Sequence, residues 1–495
     1  MFVKKTKSIC PVCARTLPAD VTEEDGRVWI SRTCPEHGEF KHLYWSDAKM
    51  YRRFEAFESI GNGVENPQRH ASADECPRAC GLCTNHASGT LLANIDVTNR
   101  CNLNCDFCFA NARACGYLYE PDFDQIVEMM RMVRSQKPVP APAVQFSGGE
   151  PTMRDDIFDL IRMAKEVGFS QVQLATNGVN IARDNGYAQE LKDAGLSTIY
   201  LHFDGVTKAT NPQIAVHERA VKNCCDIEMG VVLVPTVING RNDHEVGAII
   251  EFAANHMQAV RGVNFQPVAF TGAANDENIQ QERVTIPDLA ERIELQTGGA
   301  VKKDYFFPVP CVIPISDLVE AYTGKPQVRF TTHQHCGAAT YVFVTEEGLV
   351  PINRMLDVNK FFDAISAIAE HINQSGSLNK YMALLDGVRQ MHTSMKGSET
   401  GSTTTFWKLL ASTLIHQDFK ALKDFHWNAL FIGTMHFMDN FNYDLSRVQR
   451  CCIHYATPDG RLIPFCAYNS GPVHREEVWK TFSRPIPAPD HIESR

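Results

Sequence analysis

The chain has no window of ~18 uninterrupted apolar residues, the length a membrane-spanning helix requires. Its first residues, Met1-Phe2-Val3-Lys4-Lys5, lack the apolar stretch of a secretory signal. Long basic runs are missing too. Against 48 Lys and Arg stand 58 Asp and Glu, a net charge of −10, and phosphate binding needs clustered cations, so nucleic acid is excluded as a main partner. There is no whole-chain repeat and no low-complexity run. The expectation is a cytoplasmic protein, with peripheral docking on a membrane still allowed. At 495 residues, 44% of them hydrophobic and 21% charged, the chain has material for two or three domains and a large core.

What the sequence does have is 17 cysteines. In a large chain facing a reducing compartment, tight cysteine groups point to metal or cluster ligation rather than disulfides. They fall into Cys10, Cys13 and Cys34; Cys76, Cys80 and Cys83; Cys101, Cys105 and Cys108; and a dispersed late set of Cys311, Cys336, Cys451, Cys452 and Cys466. Cys115, Cys224 and Cys225 read as structural, since free cysteine is a common buried residue.

Composition changes along the chain suggest a small β-rich unit over 1–60, with strands at Val28–Ile30 and Phe40–Tyr44, then a polar linker near Gly61–Ala73. From about residue 91, short apolar runs alternate with amphipathic helical stretches. Strands are expected at Leu91–Val97, Ala143–Ser147, Gln171–Ala175, Thr198–Phe203, Gly230–Val234 and Val263–Val268; helices are expected at Phe123–Gln136, Ile157–Val167 and Ala188–Ala194. This alternation indicates a parallel sheet covered by helices, either a partial (β/α) barrel or a doubly wound sheet. Function then belongs at the carboxyl ends of the strands. Cys101, Gly148-Gly149-Glu150, Thr176-Asn177-Gly178 and Asp204 all follow such ends. Phe406–Met438 reads as helical and rich in aromatic residues, either as core packing or as a wall for a long apolar substrate.

Cys101-x3-Cys105-x2-Cys108 puts three thiolates on one short loop, able to hold three corners of a [4Fe–4S] cluster. The fourth iron is then open to chelation by the amino and carboxylate groups of S-adenosylmethionine, whose reductive cleavage yields a 5′-deoxyadenosyl radical. A zinc site or a purely electron-carrying cluster competes with this reading. Cys76-x3-Cys80-x2-Cys83 has the same spacing, so context must decide. Only the second triplet follows a candidate strand and precedes Gly148-Gly149-Glu150-Pro151, where glycines admit a ligand close to the backbone and Glu150 can accept from an ammonium.

Cys101–Phe109 and Ser147–Pro151, with Thr176-Asn177-Gly178 in support, resemble the radical S-adenosylmethionine superfamily over roughly residues 90–275. The resemblance implies a partial (β/α)6 TIM-like barrel, with Phe107 near the adenine and with Asn177, Asp204 and Thr236 as candidate contacts to methionine and ribose.

Cys10-x2-Cys13 and Cys34-x2-His37 make a tetrahedral site suited to zinc or a rubredoxin-like mononuclear iron. The Cys76 triplet and the five late cysteines supply enough thiolates for two fully ligated clusters, in a partition that spacing does not reveal. Asp459-Gly460 reads as a hairpin turn that brings Cys451 or Cys452 toward Cys466. Cys-Pro-Glu-His-Gly at 34–38, Cys80-Gly81-Leu82-Cys83, Cys336-Gly337-Ala338-Ala339-Thr340 and the Cys451–Cys466 element resemble a narrower family, that of the archaeal tetraether lipid synthases and their bacterial relatives. That family has also been assigned to methylation of a hydroxymethyl-dihydropterin.

This second resemblance implies one cofactor-binding and two auxiliary [4Fe–4S] clusters beside the mononuclear metal. It divides the chain into a metal-bound unit (1–60), an auxiliary cluster-binding linker (61–90), a partial barrel (91–290) and a C-terminal auxiliary-cluster and substrate-channel region (291–495). The leading expectation is carbon–carbon coupling of isoprenoid lipid chains. The alternative is radical methylation of 7,8-dihydro-6-hydroxymethylpterin, with Asp204, Asn264 and Gln266 as polar contacts. A more distant one is an electron-transfer or maturation scaffold. Either enzyme would take a small-molecule or lipid substrate and an electron donor such as ferredoxin or flavodoxin.

Overall fold

A computed structural model describes residues 2–70, 75–112, 116–274, 278–374, 380 and 429–485. The N-terminal unit is an antiparallel meander of β1 (Phe2–Ile9), β2 (Thr16–Glu24), β3 (Arg27–Cys34) and β4 (Gly38–Trp45). Both strands expected here lie within β3 and β4. The β2–β3 turn is Asp25-Gly26, with φ of 50° and 72°, the double left-handed geometry that matches strand twist in a two-residue hairpin. Helix α1 (Ala48–Glu55), capped by Asp47, packs Tyr51 and Phe54 against Trp45.

The rest is built on one large, mostly parallel sheet. Its centre is β5 (Leu92–Thr98), β7 (Ala143–Gly148), β8 (Gln171–Thr176), β9 (Thr198–His202), β10 (Val231–Val234) and β12 (Val260–Pro267), adjacent in sequence order and all parallel. Short β6 (Leu118–Tyr119) pairs elsewhere, and β11 (Thr236–Val237) extends beside β12. The connecting helices are α2 (Phe123–Arg134), α3 (Ile157–Val167), α4 (Val179–Arg183), α5 (Asn185–Asp193), α6 (Ile214–Asp226) and α7 (Val246–Asn255). All six strands expected from the sequence are present, with ends moved by up to three residues. Helix α2 shows why the pattern was readable. An Asp122–Gln125 capping box starts it, and Ile126, Met129, Met130 and Val133 recur at helical spacing on its buried face.

Beyond β12 the sheet continues through β16 (Ala429–Met435, parallel) to β14 (Gly337–Thr345, antiparallel), with β13 (Phe307–Pro308) and β15 (Gly348–Pro351) at its border. On the other side β17 (Ile453–Ala456) pairs parallel with β5 and turns back into β18 (Leu462–Pro464). The last short strand, β19 (Ser483–Arg484), pairs with β6.

Strand β16 corrects the helical reading of Phe406–Met438 over its last part. A short, mostly apolar run suits a buried strand as well as a helix, and here pairing with β12 and β14 on its two sides decides. The earlier part of that stretch lies outside the described residues, as does Cys115. The hairpin at Asp459-Gly460 is as expected, with Gly460 at φ 80°. No helix among the described residues is long and apolar enough to cross a membrane.

Candidate functional site

Successive side chains of a strand point to opposite faces. One face of the central strands carries Ala93, Ile95, Val97, Val144, Phe146, Val172, Leu174, Ile199, Leu201, Val263 and Phe265, at most 1% exposed in the main core. The opposite face carries Asn94, Asp96, Gln145, Ser147, Gln173, Tyr200, His202, Asn264 and Gln266. Cross-strand register places Asn94 beside Gln145 and Gln145 beside Gln173. The Asn94 Oδ1 and Gln173 Oε1 atoms are buried without a hydrogen-bond partner.

The Cys101–Cys108 loop leaves β5 at the carboxyl end of this sheet. Cys101, Cys105 and Cys108 line a cavity of about 480 Å³ together with Phe107, Asn111, Arg241 and Ala273. The surrounding protein, then the neighbouring thiols of Cys108 and Cys101 and the Asp204 carboxylate, push the Cys105 thiol up to about 11, although it remains open to solvent. The loop is pinned from two sides. The Cys108 carbonyl accepts from the Ala273 N–H at 3.0 Å, and a Cβ on Gly272 would lie 2.4 Å from that same oxygen. On the other side, Gly149 N donates to Thr98 O and Glu150 N to Arg100 O, both at 2.7 Å. Gly148, at φ 127°, could take no side chain, since its Cβ would sit 2.2 Å from Thr98 O.

Glu150 is buried, and burial raises its carboxyl above the usual range against a full set of donors. Its Oε1 accepts from Thr152 N, Thr152 Oγ1 and Thr176 Oγ1, and its Oε2 from Asn177 N at 2.8 Å. Four donors thus match the roughly four lone-pair positions of a carboxylate, three crowded on Oε1 and one on Oε2. Asn177 Nδ2 donates to Asn102 Oδ1 at 2.7 Å, so the third strand end is tied to the cysteine loop. Asp204 accepts from Thr236 N at 2.8 Å and pairs with His202 Nε2 at 2.9 Å. Burial works against the His202 imidazolium, but the Asp204 carboxylate outweighs it and raises His202 above its ordinary value. Phe107 lies under the Arg241 guanidinium, 4.5 Å from the ring centroid, and packs beside Ile238, Val268 and Phe270. The structure thus brings the cysteine loop, Gly148–Glu150, Asn177, Asp204 and Thr236 to one end of the sheet.

In the N-terminal unit the donor atoms of Cys10, Cys13, Cys34 and His37 all lie within 4.8 Å of one another. His37 Nδ1 is 3.7 Å from Cys10 Sγ and 3.5 Å from Cys34 Sγ. Three soft sulfurs and one imidazole nitrogen fit a tetrahedral metal site.

The other cysteines divide. Cys76 is pushed to about 12 by burial and then by Cys83, and Cys80 is raised by burial and then by Cys76. Cys451 is raised by burial and then chiefly by Cys466 and Cys336. The hairpin therefore brings Cys451 to Cys466, whereas the buried Cys452 turns toward Ser88 and Thr331. Cys311 stands apart: burial alone raises it, to about 12, and Tyr341 is its neighbour. Cys224 is buried on α6, as a structural cysteine should be, and Cys225 is half-buried.

Sequence reading missed Arg475. This buried residue of helix His474–Thr481 sits 3.4 Å from Asp96 Oδ2 and donates to Phe109 O at 3.1 Å. The rings of Phe109, Tyr455, Tyr468 and Trp479 surround its guanidinium at 5.1 to 5.4 Å. An acidic Asp96 in the middle of the buried strand Leu92–Thr98 was the available signal that a buried cation must exist; nothing marked which one.

The radical SAM superfamily model matches residues 95–253, and that of the HMPTM N-terminal zinc ribbon domain matches residues 2–46. The chain is 46% identical over 493 residues to 7,8-dihydro-6-hydroxymethylpterin dimethyltransferase of Methanocaldococcus jannaschii, spanning 98% of this chain and 96% of that protein. It is 25% identical to GTP 3′,8-cyclase of Limosilactobacillus fermentum, over 59% of this chain and 89% of that one. Among solved structures, methylornithine synthase aligns with 43% of this chain and 64% of its own at 13% identity and a TM-score of 0.30. The chain is an enzyme of the radical S-adenosylmethionine superfamily and belongs to the family of the M. jannaschii 7,8-dihydro-6-hydroxymethylpterin dimethyltransferase.

Proposed function

We propose that this enzyme methylates carbon on a small polar heterocycle of the dihydropterin class, bound over the inner face of the sheet. Membership of the superfamily implies a [4Fe–4S] cluster and S-adenosylmethionine, and three soft thiols beside a cavity at a strand end fit that group. When bound there it supplies a 5′-deoxyadenosyl radical for hydrogen abstraction. The chain's own residues position it. The cysteine loop carries Cys101, Cys105 and Cys108 as ligands, and Glu150 offers Oε2, the less crowded of its two oxygens, to an ammonium. Asn177, Asp204 and Thr236 frame the far side, and Phe107 offers a ring for the adenine. A low-potential one-electron donor of the flavodoxin or ferredoxin class completes the system.

The observation that carries the substrate reading is the row of amides. Asn94 Oδ1 and Gln173 Oε1 are buried and unpartnered, and leaving such a group unpaired costs about 1–3 kcal/mol. A pterin edge, with N–H and NH2 donors beside carbonyl and ring-nitrogen acceptors, would satisfy them. An isoprenoid chain would leave them unpaired, so the methylation reading is preferred to lipid coupling, and the relative's identity points the same way.

The test is anaerobic turnover with 7,8-dihydro-6-hydroxymethylpterin and, separately, with an archaeal-type lipid. A gain of one CH2 unit per event on the pterin supports the reading. Loss of two hydrogens per joined pair of lipid methyl groups, with the pterin unchanged, overturns it. Gln173→Leu should raise KM for the pterin by roughly 5- to 150-fold, the equivalent of one unpaired buried group.

A further inference from the structure

Tyr443 and Arg447 occupy the space between the Cys76–Cys80–Cys83 segment and the late cysteines. Tyr443 is fully buried and its Oη has no hydrogen-bond partner. It shares one buried cluster with Cys80, and Cys76 and Cys466 pack against that cluster, so it lies between the two cysteine sets; its phenol is raised first by burial and then by these thiols. One helical turn on, Arg447 is 1% exposed. Its Nε donates to Cys336 Sγ at 3.3 Å and its Nη2 to the His436 carbonyl, while Nη1 is buried with no partner. Met438 N donates to Cys466 Sγ at 3.3 Å.

Among the described residues no carboxylate forms an ion pair with Arg447. The adjacent Asp444 is committed elsewhere, accepting from Lys4 Nζ, Thr6 Oγ1 and Tyr44 Oη. A buried guanidinium without an anion costs several kcal/mol. The groups facing it are the Cys336 thiol, Tyr44 and the Cys466 thiol; Tyr44 already donates its hydroxyl to Asp444, so the missing anion is built on the two thiols. A thiolate-ligated iron–sulfur group is net negative and accepts hydrogen bonds at its sulfurs, which fits two buried, unpartnered donors, Arg447 Nη1 and Tyr443 Oη, packed among these cysteines.

We propose that Cys336, Cys451 and Cys466 carry one auxiliary iron–sulfur group, that Arg447 is its buried counter-cation, and that Tyr443 donates to it from the wall shared with the Cys76–Cys80–Cys83 site. Cys311 and Cys452 are not among its ligands. A fixed positive charge and an extra donor stabilise the reduced, more negative form, so Arg447 raises the reduction potential of this centre above that of its neighbour. This assignment rests on family membership and is independent of the substrate.

The experiment uses anaerobically reconstituted full-length enzyme, with iron counted and each paramagnetic signal titrated against dithionite. Cys336→Ala should lose one centre's worth of iron while the signal that responds to added S-adenosylmethionine survives. Arg447→Met, with iron retained, should shift one S-adenosylmethionine-insensitive signal to lower potential and leave the others in place. Arg447→Lys should restore part of the shift, and Tyr443→Phe, which deletes only a hydroxyl, should give a smaller shift of the same sign. Full iron in Cys336→Ala, unchanged potentials in the Arg447 variants, or an equal shift of every signal would each overturn the proposal. If Arg447→Met does not fold, Tyr443→Phe decides: an unmoved potential refutes it.

Discussion

Two segments of this chain, Cys76–Cys83 and Cys101–Cys108, have the same cysteine spacing and stand in opposite surroundings. The first is enclosed: Cys80 is buried, and Cys76 and Cys80 face the phenol of Tyr443. The second hangs from a strand end beside a cavity, anchored just before it by bonds from Gly149 to Thr98 and from Glu150 to Arg100, and at its own end by the bond from Ala273 to Cys108. The spacing therefore sets only how many thiolates share a loop. Whether a small molecule can reach those thiolates is decided by what the loop is attached to.

The largest expected effect separates the two segments directly. Cys105→Ala should abolish 5′-deoxyadenosine formation from S-adenosylmethionine, whereas Cys80→Ala should leave uncoupled formation measurable while lowering bound iron; chromatography of anaerobic reactions checks both. Next comes the cation beneath the open loop. Arg475→Met strands Asp96 in the core and should cost about 3–5 kcal/mol, read from denaturant unfolding. Asp96→Asn in the same background should recover part of that loss, because it removes the uncompensated charge.

Glu150→Ala leaves the Thr152, Thr176 and Asn177 donors without their acceptor, at about 1–3 kcal/mol for each group left buried and unsatisfied. Thermal unfolding should show that loss, with Glu150→Gln milder because it keeps an acceptor. The smallest effect concerns pH. Asp204 raises His202 above 6.5, so the pair's stabilisation is fully present below pH 6.5 and is lost as pH climbs through the raised value. The stability gap between wild type and His202→Gln should therefore narrow from pH 5.5 to pH 8.5, as measured by chemical denaturation at each pH.

The six central strands were legible because their outward residues are uniformly apolar and the intervening helices keep their own period, as α2 does with Ile126, Met129, Met130 and Val133. The candidate site was legible for a related reason: Cys101, Gly148–Glu150, Asn177 and Asp204 each follow a strand, and parallel strands gather their carboxyl ends. Strand β16 was not, because Ala429–Met435 owes its conformation to partners far away in sequence. Arg447 and Arg475 escaped notice for the same reason, since a lone arginine on a short helix looks like any solvated one until its neighbours are known. The late cysteines could be counted but not partitioned; only folding shows that Cys451 and Cys452 face different ways.

The long stretch of sequence between Arg475 and the loop it braces bears on how the enzyme is made. The loop at 101–108 leaves the ribosome well before the helix His474–Thr481, which supplies the cation to the Phe109 carbonyl and Asp96. A nascent or truncated chain thus carries the cysteines without their brace. A fragment ending before residue 475 should therefore bind iron loosely however intact its cysteine loop, as iron counting after anaerobic reconstitution would show.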